Sequence, residues 1–349
     1  MSFAGIIGCG NVTEVKSGPA LQRADGSALV AVMRRDATKA ADYAARHGVP
    51  RWYADADQLI DDPDVDAVYV ATPPGSHAHY ALRVLDRRKP CYVEKPMARN
   101  AAECLHMVDA FAAQEVPLFV AYYRRGLPRF QQVKTLLATE RLGRISSINV
   151  RYSSGQWRNA AADPWRLNAE LSGGGYFLDL ASHTLDVLDY LFGPLRDVSG
   201  VASNVASCCA VEDNVAMIFR AGDDILGSAS WNFAAGVHED IIEITGTEGR
   251  ISLSTFGNDP VMLTVGETVE EFSRPNPPHI QQPLIQTMVD DLLGKGQCHS
   301  TGRSAARTNR VMDEVLKTYY GGREDAFWTR SWPGTPVGSD QLLLRSTLP

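Results

Sequence analysis

Cysteine is scarce in this chain, and no arrangement of it points to chemistry. Six cysteines are spread over 349 residues, at positions 9, 91, 104, 208, 209 and 298, with no Cys-x-x-Cys spacing. A disulfide-stapled scaffold is therefore excluded, and the thiols read as small buried hydrophobes. Histidine is also thin. There are eight, with His77-Ala-His79 the one close pair, and without a His-Glu-x-x-His helix or a Cys/His cluster no metal is expected. No apolar run approaches the ~18 residues of a membrane span. The opening Met-Ser-Phe-Ala-Gly-Ile-Ile-Gly has no basic region followed by a long apolar core, as a secretory signal would. The expectation is a soluble, cytoplasmic protein that engages no membrane. Positive charge is in deficit too: 34 basic against 41 acidic side chains give a formal net charge of −7, which argues against a nucleic-acid partner, whose phosphates need a basic footprint. Apolar residues at 44% and charged ones at 21% are ordinary globular usage and exclude gross disorder.

The length predicts about two domains at ~150 residues each, and the patterning divides near residue 122. Before it, short apolar runs at 3–8, 28–33, 67–71, 90–94 and 118–122 alternate with helical patterns at 38–47, 77–87 and 101–115. Parallel strands need long crossovers, so this alternation predicts a doubly wound α/β sheet over 1–122. A helix is expected from Pro128 to about residue 141, ended by Gly143. Beyond it the chain is mainly strand-like, at 145–153, 198–204, 214–220, 225–233, 241–245, 250–255, 261–265 and 269–272. Short Gly-, Asp- and Asn-rich connections suit an antiparallel meander. With helices at 176–192, 283–293 and 305–320, residues 123–349 are expected to form an α+β domain with a large, mostly antiparallel, open-faced sheet. Residues after about 323 read as an irregular arm. An open sheet face needs cover, so a homodimer or a dimer of dimers through this domain is expected.

Gly8-Cys9-Gly10-Asn11-Val12 closes the first strand and opens the first helix. Glycines there permit a tight turn and the close approach of a pyrophosphate to a helix N-terminus. The third position of the Gly-x-Gly-x-x-Gly fingerprint is Thr13, so it is incomplete, but its place inside a βαβ array points to a dinucleotide. The second strand ends in Arg34-Arg35-Asp36, with arginine where an acid usually holds the ribose 2′-hydroxyl. A guanidinium suits a 2′-phosphate, so NADP is favoured over NAD, with Asp36 the counter-argument.

Two further segments carry a resemblance: Val93-Glu94-Lys95-Pro96, and Gly173-Gly174-Gly175-Tyr176-Phe177-Leu178-Asp179-Leu180-Ala181-Ser182-His183. With the glycine turn and Thr72-Pro73-Pro74-Gly75-Ser76-His77, the chain closely resembles the glucose–fructose oxidoreductase/inositol dehydrogenase family along nearly its whole length. The resemblance implies a Rossmann domain, an α+β substrate and oligomerisation domain, and hydride transfer on sugars, inositols or related alcohols and ketones. It implies a cis Lys95–Pro96 bond and a Lys95 that orients and polarises the substrate oxygen, with Glu94 on the nicotinamide side. His183 then acts as acid/base or substrate anchor, and Asp179 as substrate ligand or orienting partner. The residues themselves agree. Lys95 ends a parallel strand, where such sheets bind ligands. Asp179 and His183 fall at i and i+4, one turn apart, and an imidazole is suited to proton transfer near neutrality.

Thr72, Pro73, Pro74 and His77 complete the expected cofactor contacts, with Ser76 as the N-cap of the helix that His77 opens. Arg166 is placed to reach the cofactor, and Trp165 to wall the nicotinamide or a sugar face. Trp157 and Arg158, with Tyr122, Tyr123 and Arg124 after the last Rossmann strand, are candidates for the substrate pocket. The leading expectation is an NADP(H)-dependent oxidoreductase of a sugar, inositol, sugar acid or dihydrodiol. The alternatives are a catalytically silent NADPH-binding regulator, and a redox-assisted glycoside hydrolase or isomerase with no net cofactor turnover.

Overall fold

The computed structural model describes residues 2–159, 164–206 and 209–321; the arm expected after residue 323 lies outside them. The first part alternates β1 (Ser2–Ile7), α1 (Gly18–Arg23), β2 (Ser27–Met33), α2 (Ala37–His47), β3 (Arg51–Tyr53), α3 (Ala56–Ile60), β4 (Ala67–Val70), α4 (His77–Asp86), β5 (Cys91–Val93), α5 (Ala101–Ala113) and β6 (Leu118–Val120). The strands form one parallel sheet in the order β3-β2-β1-β4-β5-β6. Every residue of β4, β5 and β6 is buried, which explains why they read as unbroken apolar blocks. The strand β3 was not expected. It is a three-residue edge strand whose Arg51 pairs with Asp62 and Asp64, too short and polar to register as a pattern. The order reverses between β1 and β4, and the crevice beyond their carboxyl ends is the ligand position of such sheets.

The second part contains α6 (Pro128–Ala138), β7 (Ile145–Ser153), α7 (Ala169–Ser172), α8 (Ser182–Phe192), β8 (Arg196–Ser203), β9 (Asn214–Ala221), β10 (Ile225–Asn232), β11 (Glu239–Gly246), β12 (Gly249–Leu253), β13 (Val261–Val265), β14 (Thr268–Phe272), α9 (Gln282–Leu292) and α10 (Gly302–Tyr320). Its eight-stranded sheet runs β14-β13-β12-β11-β7-β10-β9-β8, antiparallel throughout except for the β7–β10 pair. The period-two alternation of β9 and β10 sends Val215, Met217, Phe219, Ala229 and Trp231 into the core. The opposite face leaves Val201, Ile218 and Leu226 at 66%, 61% and 56% exposure.

After the sheet, the chain returns to the first domain. Ser300 accepts the Val120 amide at 3.0 Å and donates its hydroxyl to the Val120 carbonyl at 2.7 Å, which covers the open edge of β6. Of the cysteines, 9, 91, 104 and 298 are buried and Cys209 is half-buried. No helix among the described residues is long and apolar enough to cross a membrane.

The expected helix over 176–192 is not uniform: residues Phe177–Ala181 form a π-helical turn, and the α-helix begins only at Ser182. The glycines before it allow close backbone contact. Gly173 has φ +88° at the end of α7, and a Cβ there would strike the backbone of Arg99. A Cβ at Gly175 would strike the Glu212 carbonyl, while the Gly175 amide donates to Glu212 Oε1 at 2.8 Å. From behind, Arg125 fixes α8 by donating to Asp186 at 2.8 and 2.7 Å and to Asp189 at 3.1 Å, all three residues being buried. Arg307 of α10 donates to Asp189 as well, through two bonds of 2.7 Å. These bonds lock the helix that carries His183 to the turn that carries Tyr123 and Arg124.

Candidate active site

The glycine turn sits at the carboxyl end of β1. Gly8 has φ +90°, and a side chain there would run into Thr72 and the Ala71 carbonyl of the loop after β4. Gly10 faces open space, where an added Cβ would find no atom closer than the Gly8 carbonyl at 3.9 Å. That free cradle at the entrance to a helix fits a pyrophosphate. Thr13, in place of the third glycine, is buried and donates its hydroxyl back to the Gly10 carbonyl at 2.8 Å. The first helical turn (Thr13–Ser17) is π-helical, and Gly18 supplies the close approach instead. A Cβ there would collide with the Tyr43 hydroxyl and the Thr13 carbonyl.

Arg34 folds back on this turn, with Nη1 donating to the Cys9 carbonyl at 3.3 Å, whereas Arg35 points to solvent. Asp36 is committed elsewhere: its carboxylate caps α2 by accepting the Lys39 amide at 3.2 Å. Thr72, Pro73 and Pro74 form the neighbouring lip. Ser76 departs from expectation, because its hydroxyl makes no helix-capping bond. It donates to Thr72 Oγ1 at 2.8 Å and to the Pro73 carbonyl at 3.0 Å, so it fastens the lip rather than α4. His77 is fully buried, with Nε2 facing the Thr72 carbonyl at 2.6 Å and Nδ1 facing the Pro96 and Met97 carbonyls at 3.1 and 3.2 Å. It braces the loops on either side from behind.

At the end of β5 the Lys95–Pro96 bond is cis. Lys95 Nζ donates to the Asp179 carboxylate at 2.5 Å and to the Asp179 carbonyl at 2.8 Å. Arg166 Nε takes the other carboxylate oxygen at 2.9 Å. Burial pushes the Asp179 carboxyl up, but the two cations outweigh it and hold it below its ordinary value. Glu94 lies behind Lys95. It accepts the Lys95 amide at 2.9 Å, the Tyr69 hydroxyl at 2.5 Å and the Gln281 amide at 2.7 Å, a fully satisfied buried carboxylate that fixes where Lys95 leaves the strand.

His183 does not meet Asp179. Its ring packs edge-on against Tyr123 at 5.1 Å, Phe256 at 6.0 Å and Tyr122 at 6.1 Å between centroids, and its Nδ1 is buried with no partner among the described residues. Burial, reinforced by Arg124, Lys95 and Lys16, holds the imidazole well below its ordinary value. Tyr122 is wholly buried and supports the histidine from below. The Arg166 guanidinium lies 4.5 Å from the Trp165 ring centre, and Arg158 lies 5.1 Å from that of Trp157.

Thus the glycine turn, Arg34, the 72–74 lip, Lys95, Asp179 and Arg166 gather beyond the carboxyl ends of the parallel strands, with His183 close by and Arg124 buried against the Tyr123 and Phe256 rings that flank it. Sequence reasoning missed Lys16, Gln281, Phe256 and Tyr69. None of them sits in a motif, and only the tertiary fold brings them in. Among the described residues no group of three or more His, Cys, Asp or Glu is placed to hold a metal.

Comparison with known proteins identifies the family and agrees with the fold. Residues 3–122 match the oxidoreductase family with an NAD-binding Rossmann fold, and residues 130–252 match the GFO/IDH/MocA C-terminal domain. The chain is 37% identical over 317 residues to oxidoreductase P35 of Formosa agariphila, covering 90% of this chain and 98% of that protein. It is 26% identical over 256 residues to the trans-1,2-dihydrobenzene-1,2-diol dehydrogenase of Xenopus laevis, covering 73% and 75%. The solved structure of levoglucosan dehydrogenase in complex with NADH and levoglucosan superposes with a TM-score of 0.82 at 22% identity, covering 91% and 96%.

The depressed basicity of His183 has a measurable consequence. Between its lowered folded value and the ~6.5 of an unfolded imidazole, the unfolded chain binds more protons, so this group makes stability rise with pH across that window. Buried His77 is shifted in the same direction, also by burial. ¹⁵N-histidine NMR on the folded protein is expected to show His183 still neutral below pH 6.5. Chemical denaturation should show stability falling as pH drops beneath that point.

Proposed function

The chain belongs to the GFO/IDH/MocA oxidoreductase family, and from that premise we propose that it is an NADP(H)-dependent enzyme moving hydride to or from a secondary alcohol or ketone of a sugar, inositol, sugar acid or dihydrodiol. The observation that carries this reading is Lys95. Its ammonium is held by Asp179 at 2.5 Å just beyond the carboxyl end of β5, where its charge also acts on His183. In this assignment residues 1–122 bind the cofactor, and residues 123–349 supply the substrate contacts and the assembly surface.

A bound nicotinamide supplies the acceptor or donor of the hydride that joins or leaves the carbinol carbon. The Gly8–Val12 turn would hold its pyrophosphate, with the 72–74 lip alongside and Glu94 behind the nicotinamide end. Lys95 donates a hydrogen bond to the substrate oxygen and stabilises the negative charge that grows there. His183, neutral at working pH, takes the hydroxyl proton at Nε2 as the carbonyl forms, and returns it in the reverse direction. Asp179 keeps the ammonium aimed and, with Arg166 and Trp165, borders the substrate.

For the cofactor, the support comes from Arg34 and Asp36. The guanidinium already lies on the glycine turn, and Asp36, two positions on, is engaged as the α2 cap. For assembly, the apolar residues on the open sheet face, Val201, Ile218 and Leu226, fit a second copy of the same face.

Three outcomes follow. Lys95→Ala is expected to lower kcat by ~10²–10⁴-fold while NADPH binding, read by fluorescence, changes little; near-normal turnover would overturn the assignment. Arg34→Asp should weaken NADP(H) roughly ten- to a hundredfold and leave NAD(H) unchanged or improved, as for the loss of one charge-assisted contact. Equal wild-type affinity for the two cofactors by calorimetry would count against the phosphate role. Light scattering should give a multiple of the 38.1 kDa chain mass, with Ile218→Glu shifting it toward the monomer.

A further inference from the structure

Three arginines enter the second domain within six positions, all nearly inaccessible: Arg124 and Arg125 at 4% exposure and Arg129 at 3%. Arg125 is clamped by the carboxylates of Asp186 and Asp189. Arg129 donates from Nη1 and Nη2 to the Gly257 and Asp259 carbonyls and the Ser254 hydroxyl, and its Nε is buried with no partner. Arg124 is the one that lies beside His183. Its Nε donates to the Thr255 carbonyl at 3.0 Å, and its guanidinium carbon lies 4.5 Å from the Phe256 ring centre and 5.0 Å from that of Tyr123. Its Nη1, however, is buried with no partner, and among the described residues no carboxylate forms an ion pair with it. A buried charge without a counter-ion is costly. This one sits on the two rings, Tyr123 and Phe256, that also flank His183.

A second observation points the same way. Arg124, Lys95 and Lys16 all act on His183, and no carboxylate offsets them. The Tyr123 phenol, which burial alone would push up, is brought below its ordinary value by the same three cations. The two carboxylates of the crevice are already engaged: Asp179 by Lys95 and Arg166, and Glu94 by Tyr69, Gln281 and the Lys95 amide. The phosphates of a dinucleotide belong at the glycine turn. The surroundings of His183 and Tyr123 therefore keep an excess of positive charge.

We propose that the substrate is an anion, a polyhydroxylated carboxylic acid such as a sugar acid, whose carboxylate is taken by Arg124 within the field of Lys16 while its reacting carbinol lies at Lys95 and His183. This rests on the oxidoreductase reading above and narrows its substrate class. A guanidinium supplies paired donors that match a carboxylate, and an anion there satisfies the orphaned Nη1.

The test uses cofactor-saturated enzyme and matched acid/neutral pairs: glucuronate with glucose, galacturonate with galactose, gluconate with glucitol. Binding is followed by calorimetry and by the rise in Tm that a ligand of the folded state produces, and turnover by cofactor absorbance. At least one acid should bind roughly ten- to a hundredfold more tightly than its neutral partner, the span of one charge-assisted contact. In Arg124→Gln that ratio should collapse toward one, with the loss falling on KM more than on kcat, and Arg124→Lys should restore part of it. Should Arg124→Gln not fold, Lys16→Ala should reduce the same ratio. Neutral polyols that bind as well as every acid, or a ratio untouched by both variants, would overturn the proposal. If acids bind through Arg124 but no compound turns over, the oxidoreductase reading fails and the anion site stands. If neutral polyols turn over without any preference for acids, the reverse holds.

Discussion

The ion pair between Lys95 and Asp179 joins the two halves of the molecule at the point where they share a purpose. Lys95 leaves the last residues of a strand in the parallel sheet. Asp179 belongs to the π-helical turn that starts the helix packed on the antiparallel sheet. The lysine also donates to the Asp179 carbonyl, so it holds the backbone of that turn as well as its side chain. Neither residue is deeply shielded, at 13% and 21% side-chain exposure, and such a pair is not a large source of stability. Its value is positional. An ammonium with two of its three N–H groups settled on Asp179 retains one donor that can be spent on a substrate oxygen, and the direction of that donor is fixed before anything binds.

The surrounding structure is arranged to keep that pair in place. Glu94 is held from three sides, His77 spans the loops that precede and follow it, and Arg125 pins the helix beyond. The contrast between Arg124 and Arg125 is instructive. Adjacent residues on one tight turn point in opposite directions. One enters a buried pair of aspartates, where removal of a partner would strand a charge; burial pushes the Asp186 carboxyl up to about 6 even with the arginine beside it. The other lies against the rings of Tyr123 and Phe256 beside His183, stabilised by cation–π contact and not by a counter-ion.

Much of this was legible in the sequence, and for physical reasons. Strands buried on both faces show as apolar blocks, and glycines that must turn or give way to a neighbour fall at fixed places, so the parallel sheet, the glycine turn and the triglycine segment could be read from the residues. The resemblance carried by Glu94-Lys95-Pro96 and Asp179-x-x-x-His183 then placed the chemical groups. Spacing failed where it assumed a regular helix. The i, i+4 rule put Asp179 and His183 side by side, but the π-helical turn over Phe177–Ala181 intervenes, and the carboxylate turns to Lys95 and Arg166. Edge strand β3 escaped because three half-exposed residues carry no period. Lys16, Gln281 and Phe256 escaped because their roles arise from separations in sequence that only packing closes. Ser76 looked like a cap by position, yet its hydroxyl found better acceptors in the loop before it.

One consequence joins the charge of the crevice to its chemistry. An imidazole surrounded by cations and removed from water is a weak base, because the proton it would accept adds a like charge in a poorly screened place. On the proposed reading a carboxylate entering beside Arg124 supplies the missing negative charge, and the same event that seats the substrate raises the proton affinity of His183. Binding and basicity are then linked through one electrostatic field. A neutral polyol that reached Lys95 would leave the histidine in its unassisted state, so discrimination would appear in the chemical step as well as in affinity. That coupling gives a physical reason for the Arg124 guanidinium to keep its Nη1 unpaired and to lack a carboxylate counter-ion.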